Sequence, residues 1–316
     1  MPESIPAGTL VYGMQLPVQS QSTIYAEAWE AAAGVAELAD ITRAVDRSGF
    51  YYVAVCDHVA IPRPSDEKMG TAWWDTIATL GYLAAITERT HLMSHVYVLP
   101  YRHPLVAAKS FLTLDELSGG RAILGVGAGH VQAEFELLGL DFDRRGKILD
   151  ESIDVVRAAF TDEYPAVDTP SFHVADAGLR PRGTQPGGPP IWVGGSSKPA
   201  MRRAADKGDG WLPQGPPEDG MRRGVAWLQE RREANGRADQ PFAVGANAEI
   251  LYLGDPWFEP GPQHLTGEPG PMIERLARYA AIGVNQIQIR FRSRSAAELC
   301  DQIDRFGVEV GPFLNA

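Results

Sequence analysis

Three short stretches of this chain carry side chains able to do chemistry. Val53-Ala54-Val55-Cys56-Asp57-His58 ends an apolar run with a carboxylate and an imidazole side by side, groups suited to proton transfer. Leu124-Gly125-Val126-Gly127-Ala128-Gly129-His130 ends another, with glycines that let a flat ligand approach the backbone and His130 able to face it. Val193-Gly194-Gly195-Ser196-Ser197 ends a third and runs into a helix begun near Pro199. Backbone N–H groups, two hydroxyls and a positive helix end converge there as the elements of a phosphate site. Each stretch also has a plainer reading. An Asp-His pair can simply bond loop amides, and glycine runs can be tight turns. His91 and His103 read as structural or solvent-facing, and no histidine spacing suits a metal. Trp73, Trp74 and Trp211 read as packing aromatics, the first two bordering an insertion where they can wall a cavity. Arg144, Arg145 and Lys147 read as a solvated face or as partners of Asp141 and Asp143.

The elements that must position these groups alternate along the chain. Short apolar or β-branched runs predict strands at 10–16, 52–56, 91–99, 122–126, 190–193, 210–212, 242–253 and 286–291. Helical periodicity fills the gaps: a segment ending near Ser48, then 74–87, 104–117, 147–160, 199–207, 221–235, 271–282 and 295–306. Pro104 and Pro271 suit first helical turns, and Gly49, Gly119, Gly208 and Gly283 follow helices as stops. Eight strand-helix units are the arithmetic of a (β/α)8 TIM barrel, with chemistry at the carboxyl ends of its strands. The rival, an open doubly wound sheet, calls for a Gly-x-Gly-x-x-Gly turn after the first strand, and Gly125 to Gly129 follow the fourth without it. The spare length lies near 62–71 and 161–189, read as insertions at the C-terminal mouth of one barrel domain over 1–316.

The chain has 316 residues, 44% of them hydrophobic, enough for a large core. Its net charge of −11 gives no reason to expect nucleic acid or an anionic membrane as a partner. No run approaches the roughly 20 apolar residues of a membrane helix, and the start lacks a signal peptide's pattern. Two distant cysteines, Cys56 and Cys300, fit a reducing cytoplasm.

The segments VAVCDHVAIP, HLMSHVYVLPYRHPLVAAKSFLTLDELSGGRAILGVGAGH, FELLGLDFDRRGKILDESIDVVRAAF and PPIWVGGSSKPAMRRAADKGDGWLP, spanning most of 50–213, resemble the luciferase-like flavin-dependent barrel superfamily. The pattern is most similar to oxidoreductases that use the deazaflavin coenzyme F420, and FMN-dependent monooxygenases share much of it. The resemblance implies a homodimer with a flavin-type ring over the strand ends. It further implies a non-prolyl cis peptide at Ser94-His95, Asp57 and His58 beside the ring, and Gly127, Ala128 and Gly129 beneath it. Gly194, Gly195, Ser196 and Ser197 match the phosphate loop. His130 stands where related sugar-phosphate dehydrogenases carry a glutamate proton donor, and Pro62 where they carry tryptophan, so that substrate is not implied.

The expected activity is hydride transfer between F420 and a small organic substrate, with His58, Asp57 and His130 catalytic. The alternative is an FMN-dependent monooxygenase fed by a separate flavin reductase; a third reading is a non-catalytic barrel that binds a flavin-like ligand as a carrier or sensor. An F420 site is expected to extend from Ser197 over Lys198, Arg202, Arg180 and Arg182, because that cofactor bears an anionic tail and FMN does not.

Overall fold

The structure, a computed structural model, describes residues 5–6, 8–22, 25–215 and 218–315. Its strands are β1 (Val11–Gln15), β2 (Tyr52–Val55), β3 (His91–Ser94), β4 (Tyr97–Val98), β5 (Ala122–Gly127), β6 (Val167–Asp168), β7 (His173–Val174), β8 (Ile191–Gly194), β9 (Gly210–Leu212), β10 (Ala243–Leu253), β11 (His264–Gly267) and β12 (Gln286–Phe291). Its α-helices are α1 (Val35–Arg47), α2 (Asp66–Met69), α3 (Thr76–Ala84), α4 (Pro104–Ser118), α5 (Gln132–Leu137), α6 (Arg145–Thr161), α7 (Lys198–Lys207), α8 (Glu218–Ala234), α9 (Pro269–Ala277) and α10 (Ala296–Glu309).

Eight strands pair in parallel in the order β1-β2-β3-β5-β8-β9-β10-β12, and β12 returns to β1, closing the TIM barrel expected from the alternation. Side chains alternate across each strand. Val53, Val55, Leu92, Leu124, Val193, Ile287 and Ile289 face the helices and build the main core with them. Tyr52, Ala54, Met93, Ile123, Trp192, Leu212 and Ala243 fill the lumen. Glycines on neighbouring strands make room for the larger ones: a Cβ on Gly13 would lie 2.4 Å from the Tyr52 ring, and one on Gly210 would lie 2.7 Å from Trp192.

Local chemistry sets the helix ends. Asp75 accepts from the Ala78 N–H and starts α3 two residues later than its apolar pattern suggests. His103 caps α4, with Pro104 at its first turn, and Gly119 ends it in the left-handed region at φ 68°.

Two expectations are corrected. The run at 91–99 is two strands, β3 and β4, separated at His95 and Val96, and the non-prolyl cis peptide joins His95 to Val96 rather than Ser94 to His95. The Val96 side chain accounts for the break. It seats over Gly127 and Gly194, whose added Cβ atoms would collide with it. The segment 161–189, expected over the mouth, instead runs along the outside of α4 and α6. Its β6-β7 hairpin reaches toward the mouth only at its tip, where Phe172 meets the His103 ring. It then turns back, and Thr184 and Gln185 donate to Asp115 near the end of α4.

Candidate functional site

Helices of the barrel run antiparallel to the strands, so strand carboxyl ends and helix amino ends share one face. β2 delivers Cys56, Asp57 and His58 to that face. The three diverge. Asp57 is 5% exposed and points outward into structure: Arg102 grips it from Nη1 at 2.6 Å and Nη2 at 3.1 Å, the Val98 N–H donates at 2.7 Å and Thr76 Oγ1 at 3.1 Å. It ties β2 to β4 and α3 beside the kink at His95, and its carboxylate is fully engaged within the protein. That geometry suits a positioning residue rather than the catalytic role expected of Asp57.

His58 faces the other way. Its Nδ1 is 2.8 Å from Glu134 Oε2. Glu134 is 0% exposed and also accepts from Tyr101 OH at 2.8 Å, the Val59 N–H at 2.6 Å and the Ala60 N–H at 3.1 Å. Burial alone would raise its pKa, but the bonds from His58, Tyr101 and the Val59 N–H outweigh that and hold the carboxyl below its usual range. An ionised Glu134 keeps the His58 proton on Nδ1 and leaves Nε2 as the basic nitrogen. The Trp73 ring closes against His58 at 4.4 Å between centroids, and Trp73 is held in turn by the carbonyls of Met69 and Gly70 on the first insertion. His130 lies edge-on to His58 at 5.8 Å, exposed at the rim, with its pKa lowered by its enclosure and by the neighbouring imidazole.

Glu134 was missed in the sequence, yet it leaves a signal. Val131, Glu134, Phe135 and Leu138 share one helical face, so Glu134 is a charge on an apolar stripe, unlike exposed Glu136.

His95 sits on the floor of the mouth, where burial pushes its imidazole down to about 4. Ser94 turns away, its hydroxyl donating to the Gly125 carbonyl at 2.8 Å. Gly127 lies beneath Val96, and Gly129, at φ 81°, packs against Phe135 and Val98. These glycines serve packing of the kink. Ala128 is half-buried between them.

At the β8-α7 junction, Ser196 and Ser197 are exposed, Gly194 and Gly195 are half-buried, and Gly195 adopts φ 108°. Ser196 Oγ accepts from the Gln214 N–H at 2.9 Å and Ser197 Oγ caps the Ala200 N–H at 3.4 Å. A hydroxyl that accepts still has its own hydrogen to donate, so both serines suit an anion lying over the α7 amino end. Lys198 and Arg202 are exposed on the first turns of α7. Arg180 and Arg182 are elsewhere, a correction to the expected cluster. Arg180 pairs with Glu163 at 2.7 Å, and Arg182 donates to the Ala159 and Phe160 carbonyls at the carboxyl end of α6, on the face opposite the mouth. Orphan carbonyls ending a helix recruit such cations.

A concavity of about 330 Å³ on the helical exterior is lined by Asp150, Arg202, Arg203, Asp206, Lys207 and Arg231. It is an ion-pair network, with Arg203 on Asp150, Lys207 on Asp154 and Arg231 on Asp206.

A parallel barrel whose mouth gathers a carboxylate-buttressed histidine and a glycine-serine loop opening a helix can now be compared with known proteins. The family model described as luciferase-like monooxygenase matches residues 11–255. The chain belongs to this family. An uncharacterized protein of Mycobacterium tuberculosis is 32% identical over 264 residues, covering 80% of this chain and 84% of the relative. The 4-hydroxyprotoasukamycin monooxygenase of Streptomyces nodosus subsp. asukaensis is 35% identical over 249 residues, covering 76% and 67%. Among solved structures, the coenzyme F420 dependent tetrahydromethanopterin reductase of Methanopyrus kandleri superposes with a TM-score of 0.75 at 17% identity, covering 97% of this chain and 99% of that one, a likeness of fold. Luciferase-like family membership makes this chain an oxidoreductase.

Proposed function

We propose that this protein is a deazaflavin-dependent oxidoreductase acting on a small organic substrate, with coenzyme F420 over the barrel mouth. The observation that carries the reading is the His58-Glu134 pair, which keeps a proton-accepting Nε2 at the mouth beside Trp73. The residues fit the cofactor. Gly194 to Ser197 present donors to its phosphate, while His95 and Val96 form the floor beneath a ring. When bound, the cofactor supplies the hydride chemistry. His58 Nε2 takes or returns the accompanying proton, Glu134 holds the imidazole in one tautomer, and Trp73 shields it from water. Asp57 and Arg102 hold the strand end that presents His58. His130 at the rim is the second group we assign to proton handling. Lys198, continuing from Ser197, supports F420 through attraction for its anionic tail, and Arg202, which also lies 4.0 Å from Asp150, adds to that attraction.

FMN-dependent monooxygenation, fed by a partner reductase, is the second reading. It is favoured by the 35% identical monooxygenase and by the absence of Arg180 and Arg182 from the tail site.

Cofactor titrations test this. F420 is expected to bind more tightly than FMN at low salt, with the margin shrinking as salt screens it and in a Lys198→Ala, Arg202→Ala variant. Tight FMN binding with rapid oxygen consumption and no measurable F420 affinity would overturn the first reading and install the second. We further expect a cytoplasmic protein that forms a homodimer; light scattering at known concentration checks the dimer.

A further inference from the structure

On β12 the inward positions are Gln286, Gln288 and Arg290, alternating with Ile287, Ile289 and Phe291 on the core side. Gln286 is used, accepting from Tyr52 OH at 2.8 Å. The next two are less fully engaged. Gln288 Oε1 is buried without a hydrogen-bond partner among the described residues, which in a folded protein calls for an explanation. Arg290 has five N–H donors and directs Nη2 to the Tyr25 carbonyl at 3.3 Å, its guanidinium 4.4 Å from the Tyr25 ring centroid.

Other enclosed arginines are more fully engaged: Arg102 and Arg203 each grip a carboxylate with two nitrogens, and Arg121 and Arg232 each donate to two or more backbone carbonyls. Among the described residues no carboxylate comes within 4.0 Å of Arg290. The acids near enough to act on it are Glu30 and Glu27. Glu30 is occupied by the Val18 and Glu27 N–H groups, and the Glu27 carboxylate by Arg292.

Arg290 also stands in the right place. The parallel register pairing Met14 with Ile289 sets Gln15 beside it, and Gln15 Nε2 reaches Cys56 Sγ at 2.9 Å, two residues before His58. The phosphate loop after β8 is three strands away around the barrel.

We propose that Arg290 anchors a carboxylate of the substrate, with Gln288 below it receiving a hydrogen-bond donor from the same molecule. A single guanidinium fork matches a carboxylate. A phosphate dianion would call for a second free cation, whereas Arg292 and Arg294 are held by Glu27 and Glu298. This inference rests on the reading above that the mouth is the reaction site.

The test is calorimetric titration of the cofactor-loaded and the cofactor-free protein with four-carbon probes: butyrate, 2-hydroxybutyrate, 1-butanol and butyl phosphate. Butyrate is expected to bind at least about tenfold more tightly than 1-butanol, and 2-hydroxybutyrate more tightly still. Arg290→Gln should weaken butyrate by about 10- to 100-fold with 1-butanol unchanged, Arg290→Lys should recover part of it, and Gln288→Leu should erase the gain from the hydroxyl. Far-UV circular dichroism checks the fold of each variant. Equal binding of butyrate and 1-butanol, butyrate binding untouched by Arg290→Gln, butyl phosphate surpassing butyrate, or an equal loss of cofactor affinity in Arg290→Gln each overturns the proposal. Arg290-dependent butyrate binding in a protein that takes up neither cofactor supports it and counts against the functional reading alone.

Discussion

Glu134 Oε2 lies 2.8 Å from His58 Nδ1, across 76 residues of sequence, and the carboxylate is wholly removed from solvent. Such a bond fixes which ring nitrogen is basic and where it points. His58→Ala is expected to lower turnover by about 10²–10⁴-fold, the usual worth of a placed proton-transfer group. Glu134→Gln should cost less, shift the pH profile of turnover and leave cofactor affinity within about tenfold. Because the two act as one unit, the double variant should be no slower than His58→Ala. Additive losses in steady-state kinetics would separate them.

Asp57 belongs to a different ledger. Removing it leaves Arg102 enclosed without its counter-charge, so Asp57→Ala is expected to destabilise the fold by about 3–5 kcal/mol. Equilibrium urea unfolding measures this. If Asp57→Ala instead kept full stability while losing turnover, the carboxylate would be catalytic after all.

His95 makes acid sensitivity local. In the unfolded chain its imidazole takes a proton near pH 6.5, and in the fold only near pH 4. The unfolded state thus binds more protons between those values, and stability falls as pH drops through that window. Comparing urea midpoints at pH 7 and pH 5 should show a smaller decline in His95→Gln than in the wild type.

Gly127 and Val96 form a size-matched pair. A methyl group on Gly127 would collide with Val96 Cγ2, so Gly127→Ala is expected to cost about 1–3 kcal/mol, with part restored by Val96→Ala. Thermal melts of the two single variants and the double decide whether the pair is coupled.

These variants mark where the sequence stops being legible. The barrel could be read because strands such as 52–55 and 122–127 are short apolar runs set between helical stretches, a local property. The run 91–99 is just as apolar, and nothing local announces its division; that arises when Val96 finds room over glycines of two other strands. Arg182 was read as a ligand-facing cation because basic side chains near an insertion carry no address. Its partners are the Ala159 and Phe160 carbonyls, which only the path of the chain brings close. Asp57 and His58, adjacent in sequence, part company because successive side chains leaving a strand take opposite sides. Glu134 was the reverse case, a local anomaly on a helical stripe whose meaning needed a partner from β2.

The lumen filling has a consequence for traffic. Among the described residues, Tyr52, Trp192, Met93, Ile123 and Leu212 form one buried cluster across the barrel's middle and fill the way through from the amino end. On the proposed function, cofactor and substrate would then share one entrance, like two cars in a single-file garage. The one that parks deeper has to arrive first and depart last, so turnover should follow a compulsory order, with the outer ligand's departure gating exchange of the inner one.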